Sequence, residues 1–305
     1  MTPFLKVFLR DRLNRLARLA GFGKHPAWND HIDDLGLTTE TLVITKRILY
    51  SEGIASQLAS GAWNRLEEAG HATEFDHRFV WSREAQSVIG GIWASRDGKG
   101  RGHFPMIVCL HTGERGCQAI PRFVPLVEEL SVRCHLAKDQ QKFRDVFAET
   151  QLRLNSNAFS TVSSETRPFD ISGSREEAIL NGMFALSRGI RKHRKLGTRE
   201  RTRSAHFRLP AISSRPKESL EFWVGYLETR LDFRLPCLTI ASAGPGPIDV
   251  IAGEPEAYNF FCLRAAEAAL PMTLALPADK PSADVRLEAK VYLRSFGPRS
   301  IQSPD

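Results

Sequence analysis

Several absences narrow this chain before anything present does. Its five cysteines, at 109, 117, 134, 237 and 262, contain no CxxC pair. An odd count does not make a disulfide framework, so reduced thiols in a cytoplasmic protein are the expectation. No stretch reaches the ~18 consecutive apolar residues of a membrane span. The phosphate-loop spacing GxxxxGK[ST] and the zinc motif HExxH are both missing, and the serines at 87, 95 and 242 lie in no GxSxG. What remains is ordinary for a soluble globular protein: 305 residues, 42% hydrophobic and 25% charged. Such a chain can bury a substantial core without disulfides or metals.

The charge is not evenly spread. Lys and Arg number 42 against 35 Asp and Glu, a formal charge of +7, and much of the surplus falls in Arg188-Gly-Ile-Arg-Lys-His-Arg-Lys195 followed by Arg199, Arg201 and Arg203. Net charge permits a nucleic acid, a membrane surface or an acidic protein and selects none. No helix-turn-helix and no interleaved aromatics accompany the run, so specific nucleic-acid binding is not expected. A solvated helix end or loop and a specific anionic partner remain the two readings.

The organising stretch is Arg96–Pro105, RDGKGRGHFP. It lies between two short apolar runs, Ser87–Ser95 and Phe104–Leu110, that read as strands. Gly98, Gly100 and Gly102 allow tight backbone turns, while Arg96, Lys99 and Arg101 crowd positive charge into the same loop. The plain reading is a hairpin with solvated charge. The functional one is a docking or anion-binding loop.

Taken in order, residues 1–20 read as a basic amphipathic helix, with Leu5, Phe8, Leu9, Leu13 and Leu16 at helical spacing. Lys6, Arg10 and Asp11 interrupt it too often for a signal peptide. It is expected to pack or serve as a docking arm, with contact to an anionic membrane as the lesser outcome. Gly21-Phe-Gly-Lys-His-Pro-Ala-Trp-Asn-Asp-His31 breaks that helix with an ordered loop. A helix capped by Thr39 follows, with Gly53 at its end or interruption, then helical stretches at 55–58 or 63–69 and a strand at 75–81. Helices are expected over 121–136 and 140–154, a polar connector over 155–175, and a helix over 176–187 leading into the basic run. Beyond lie a strand at 206–209, a helix over 220–231, strands at 236–241 and 248–252, and a final substantial helix over 259–269. The tail beyond 295 reads as loose. This order predicts an α+β fold, mainly antiparallel strands flanked by helices, with regions 21–154 and 206–295 joined by a connector and forming one sheet or two lobes.

Two sets of side chains invite chemistry. His25, Asp30, His31, Asp33 and Asp34 include metal-ligand and acid/base types, but no second cluster completes a four-ligand site. The carboxylates are expected to cap helices and hydrogen-bond the loop. Cys109 with His103 or His111 is a nucleophile pair on paper, yet Cys109 sits mid-strand, where thiols are buried and inert. A hydrolase or phosphate-handling enzyme built on His25, Asp30 and His31 stands as the alternative to a binding protein.

Two motifs, taken together, point to a family. Gly21-Phe-Gly-Lys-His-Pro with Asp30 resembles the opening GxxGKLPxxGD element of the TagF family, also called ImpM, of bacterial type VI secretion. Gly100-Arg101 with Phe104-Pro105, after a strand bearing Trp93, is similar to that family's GRxFP segment. The resemblance is strongest over residues 21–112, with an echo from Trp223 through Pro236 to Phe260. His25 in place of Leu, Ala27-Trp28-Asn29 before Asp30, and the basic run mark a divergent member. The resemblance implies a non-enzymatic cytoplasmic regulator that restrains type VI assembly through a forkhead-associated scaffold partner, and the spacing of the ligand-type residues leads to no expected metal or cofactor. No catalytic residue carries over. The partner-binding surface is expected to comprise Lys24, His25, Trp28, Asp30, His31, Arg96, Lys99, Arg101 and Phe104.

Overall fold

A run such as Met106-Ile107-Val108-Cys109-Leu110 has no polar face, which is the pattern of a strand covered on both sides. The computed structural model, which describes residues 17–156, 174–195, 204–243, 246–273 and 283–296, has that arrangement. Strands β1 (Arg18–Gly23), β2 (Asp76–Arg83), β3 (Gln86–Trp93), β4 (Met106–Thr112), β5 (Ala205–Leu209), β6 (Cys237–Ser242) and β7 (Ile248–Ala252) form one seven-stranded sheet in the order β1-β4-β3-β2-β6-β7-β5. Every pairing is antiparallel. The α+β expectation holds. The β2–β6 ladder, with Phe79 opposite Ile240, joins the two expected strand pairs in a single sheet.

One face carries α1 (Glu40–Thr45), which runs through a π-helical segment (Lys46–Ile54) into α2 (Ala55–Ala59), then α3 (Ala62–Glu68) and a 3-10 helix (Ala257–Leu263). The other carries α4 (Gly116–His135), α5 (Gln140–Asn155), α6 (Ser174–Lys195), α7 (Pro216–Gly225) with a π-helical extension (Tyr226–Arg230), and α8 (Ala283–Arg294). Alternate residues of each strand feed alternate cores. Met106, Val108 and Leu110 join Phe123, Phe143 and Trp223 on one side, while Ile107 and Cys109 join Trp63, Trp81 and Phe260 on the other. Each such buried side chain contributes roughly 1.5–3 kcal/mol.

The structure departs from the sequence reading in identifiable places. Residues 18–20 are strand, not helix: Leu19 enters one core and Ala20 and Phe22 the other, and β1 ladders along β4 from Arg18 to Gly23. The rest of the expected N-terminal helix lies outside the described residues. Residues 94–105 are a long loop and not a tight hairpin. Helix α4 begins at Gly116, ahead of Pro121, because Glu228 reaches across from the π-helical extension and accepts from the N–H groups of Gly116 (3.1 Å) and Cys117 (3.2 Å). A helix N-terminus so capped can start in a stretch with no local cap. Helix α6 continues to Lys195, so the first half of the basic run is helical, while residues 196–203 and most of the expected polar connector lie outside the described residues. The expected helix over 259–269 is a 3-10 helix that ends at Leu263, and the last helix is α8.

Arg208 holds the 3-10 segment to the sheet. Its guanidinium, fully buried, donates to both oxygens of the buried Asp249 (2.9 and 3.0 Å) and to the carbonyls of Cys262, Ala265 and Leu270. Burial pushes the Asp249 carboxyl up, but the bonds from His206 and Arg208 outweigh it and hold it below the usual range. Removing one partner of such a pair leaves an uncompensated buried charge. Arg208→Met should therefore cost about 3–5 kcal/mol in chemical denaturation, and Arg208→Met with Asp249→Leu should recover most of it. A double variant no more stable than the single one would refute the pairing argument.

His77, on the same face of β2, is buried with no hydrogen-bond partner at Nδ1, and burial pulls its pKa down to about 4. Between that value and the ordinary ~6.5 the unfolded chain binds the proton and the folded chain does not, so stability falls as pH drops through this window. Replacing His77 with Leu should flatten the pH dependence of the denaturation midpoint between about pH 6.5 and 4; an unchanged slope would show that His77 is not its source.

Candidate functional site

The loops at 24–35 and 94–105 meet beyond the ends of β1 and β4. Gly23 makes the meeting possible: its φ is 110°, and a Cβ there would lie 2.1 Å from the Pro105 carbonyl oxygen. Only glycine fits. Just past it, the Lys24 N–H donates to that same carbonyl (3.1 Å). The chain then folds back on β1's outer edge, with Ile32 N–H donating to Gly23 O (2.7 Å) and Gly21 and Leu35 exchanging backbone bonds (3.0 and 3.2 Å). An edge strand that would otherwise offer unpaired backbone is thereby covered.

At the centre sits Asp97, whose side chain has no exposed surface. Its carboxylate accepts from Lys24 Nζ (2.9 Å), from the N–H groups of Lys99 and Arg101 (both 3.0 Å) and from Arg101 Nε (2.7 Å). Burial alone would raise its pKa, but the Lys24 ammonium and the Arg101 and Lys99 donors outweigh it and hold the carboxyl far below the usual range. Lys24, itself buried, also donates to Asp30 Oδ1 (2.6 Å), which accepts from His31 Nδ1 (2.9 Å) as well. The bond from Lys24, then that from His31, lowers the Asp30 pKa. Arg101 closes the ring by donating to Asn29 O (2.9 Å). The backbone is equally close, with Gly98 N–H donating to Trp28 O (2.7 Å).

Aromatic rings support the cluster on both sides. His31 lies edge-on to Phe104 (5.2 Å) and Tyr50 (5.8 Å), and burial, with Asp30 and Asp34 nearby, raises the Tyr50 hydroxyl's pKa. His25 turns the other way, into the core between Trp28 (5.6 Å) and Phe143 (4.8 Å). Its Nδ1 accepts from Ala27 N–H (3.1 Å), so Nε2 carries the proton and donates to Cys134 O (2.9 Å). Burial lowers its pKa and keeps it neutral.

Of the nine expected surface residues, Asp30, His31, Arg96, Lys99 and Arg101 are exposed and Phe104 is half-buried, whereas Lys24, His25 and Trp28 are interior. His25 is not brought together with Asp30 and His31, so the three do not form one cluster. Asp33 and Asp34 do not cap helices: they pair with Arg144 on α5 and Lys46 at the end of α1, while Thr39 caps α1 as expected by accepting from Leu42 N–H (3.3 Å). Two members of the site went unread, Asp97 and Tyr50. Asp97 had a signal, the lone acid among the basic residues of RDGKGRG.

The chemistry available here is limited. Asp30, Asp97, Lys24 and Arg101 neutralise one another pairwise. Arg96 and Lys99 stay solvent-exposed with no carboxylate partner among the described residues. Burial pushes the Cys109 thiol up to about 12 and Cys117 to about 11, far from nucleophilic range. Elsewhere, potential ligand atoms of His206, Asp249 and Cys262 lie within 4.8 Å of one another, but the Arg208 guanidinium already fills the cation's place beside Asp249. Among the described residues no helix is long and apolar enough to cross a membrane.

No protein-family model matches the chain. No curated protein matches it. Among solved structures it is similar to PA0076 from Pseudomonas aeruginosa PAO1, at 20% identity and a TM-score of 0.31, over 43% of this chain and 62% of that one. The match thus spans less than two thirds of that protein's length.

Asp97→Asn removes the charge and keeps the shape. It should release the loop, raising trypsin cleavage within 94–105 on the order of tenfold while the sheet stays folded. Because the carboxylates are held ionised, the same loosening should appear in the unsubstituted protein as pH falls below about 4. Equal cleavage rates in the two proteins at neutral pH would mean that Asp97 does not hold the loop.

Proposed function

We propose that this chain is a non-enzymatic binding protein whose contact surface is the tip of the loop 94–105 together with the outer side of 24–35. The observation that supports this best is the internal neutralisation of the site. Apart from the exposed His103, the groups fit for acid–base work are bonded to one another or buried, while Arg96 and Lys99 stand on a loop fixed from beneath by Asp97. A fixed loop with two uncommitted cations suits recognition of an acidic protein face, because little ordering entropy remains to be lost on binding.

The motif resemblance supplies the context: a cytoplasmic regulator that restrains assembly of a type VI secretion-like system through a forkhead-associated scaffold. Two variants separate the contact from its support. Arg96→Glu with Lys99→Glu changes the tip alone, whereas Arg101→Glu strikes the charge cluster. Affinity capture from native lysate with mass spectrometry should recover a forkhead-associated protein with the wild type. Capture should be lost in the tip variant at unchanged thermal stability, and in Arg101→Glu together with raised protease sensitivity. Undiminished capture by the tip variant would remove the loop from the account. Turnover on a panel of esters and phosphates, abolished by His31→Ala, would replace the proposal with the hydrolase reading.

A further inference from the structure

The basic run takes no part in the site above, yet its helical half borders a cavity. Between α6, the π-helical extension Tyr226–Arg230 and α8 lies a space of about 670 Å³, within the range that holds small ligands. Arg191 enters from the basic run and Arg230 from the π-helical segment. Such segments re-aim side chains and recur at functional sites. Neither guanidinium has a carboxylate partner among the described residues, and Arg230 is held by stacking over the Tyr292 ring at 5.3 Å.

Between the arginines the wall is hydroxylic. Ser187 Oγ and Tyr226 Oη, both in buried residues, lie 2.7 Å apart. Two hydroxyls bring two protons, and the bond between them uses one, so one O–H remains to donate toward the cavity. Both arginines, together with Glu288, lie close enough to act electrostatically on the Tyr226 hydroxyl, which makes it the common centre of the group. At the rim, α8 exposes Leu287 and Val291, 62% and 56% accessible, as apolar surface beside the charges.

We propose that this cavity binds a small phosphate-bearing molecule with an apolar body, the phosphate between Arg191 and Arg230 and the apolar part against Leu287 and Val291. Two guanidinium forks and a free hydroxyl suit a group with three acceptor oxygens better than a carboxylate with two. Among the described residues that line the cavity, Glu288 is the one carboxylate. It limits affinity, and its removal should strengthen binding. The site is separate from the loop 94–105 and does not rest on the reading of that loop.

The test is calorimetric titration of the full chain with phenyl phosphate at low salt, with benzoate and phenol as controls and vesicles of phosphatidylglycerol or phosphatidylcholine in a parallel sedimentation arm. Phenyl phosphate should bind saturably and more tightly than benzoate, with phenol inert. Arg191→Gln with Arg230→Gln should weaken it at least about tenfold, and Glu288→Gln should tighten it. All three residues are exposed, so the fold should tolerate the changes, and circular dichroism checks this. Sedimentation with phosphatidylglycerol alone, lost in the double variant, would assign the same chemistry to a lipid headgroup. No saturation at millimolar phenyl phosphate with no vesicle binding, binding unchanged in the double variant, or benzoate binding as tightly as phenyl phosphate would overturn the proposal.

Discussion

A carboxylate with no exposed surface must be surrounded by donors, and the end of the molecule where the loops 24–35 and 94–105 meet is built around that demand at Asp97. Lys24 is buried because Asp97 and Asp30 share its ammonium. Lys99 and Arg101 turn back because their N–H groups serve the same carboxylate. Gly98 then lies against Trp28 O and the Asn29 side chain, at a position where a Cβ would be 2.9 Å from Asn29 Oδ1. An unmatched donor or acceptor in such a place costs more than a matched pair gains, so the cluster acts less as a source of stability than as a constraint on geometry. Relaxing any one member frees the others.

The same reasoning applies at the far edge of the sheet, with different consequences. Arg208 and Asp249 stand on paired strands, Arg208 directly opposite Asp249 in the β5–β7 register, and the guanidinium's donors also reach carbonyls of the 3-10 helix and of the segment that follows it. One buried pair fixes a surface loop, and the other fixes the cover of a core. Burying charge is poor economy for stability alone, but it leaves each segment a single arrangement in which all its polar groups are satisfied.

Much of the fold was legible because the sheet is covered on both faces. Apolar runs at 87–93, 106–110, 237–241 and 248–252 can be little else, and Thr39 announced its helix. The misreadings share a cause: a partner distant in sequence decided them. Leu19-Ala20 fits a helical stripe and a strand equally, and β4 decides for the strand. Helix α4 starts early because of Glu228, more than a hundred residues away. In the site, residue types were read without their pairing. Lys24 and Arg101 looked like available charge, and His25 looked like a companion of His31, because nothing local shows that Asp97 consumes the first two or that Phe143 and Cys134 O draw the third inward.

This pairing changes what the family resemblance means. Its two motif segments, Gly21–Pro26 with Asp30 and Gly100–Pro105, are the segments that touch: Lys24 N–H on Pro105 O, Lys24 on Asp30, and Arg101 within 3.3 Å of Asp30. Residues that match a motif because they hold a loop in place say how the loop is presented and little about what it meets. On the proposed reading the contact chemistry falls to positions outside the motif, Arg96 and Lys99, and two exposed charges are weak at physiological ionic strength, where the Debye length is about 8 Å. On that reading selectivity comes chiefly from the fixed shape of the loop, which makes the buried carboxylate that sets this shape the indirect determinant of which partner fits.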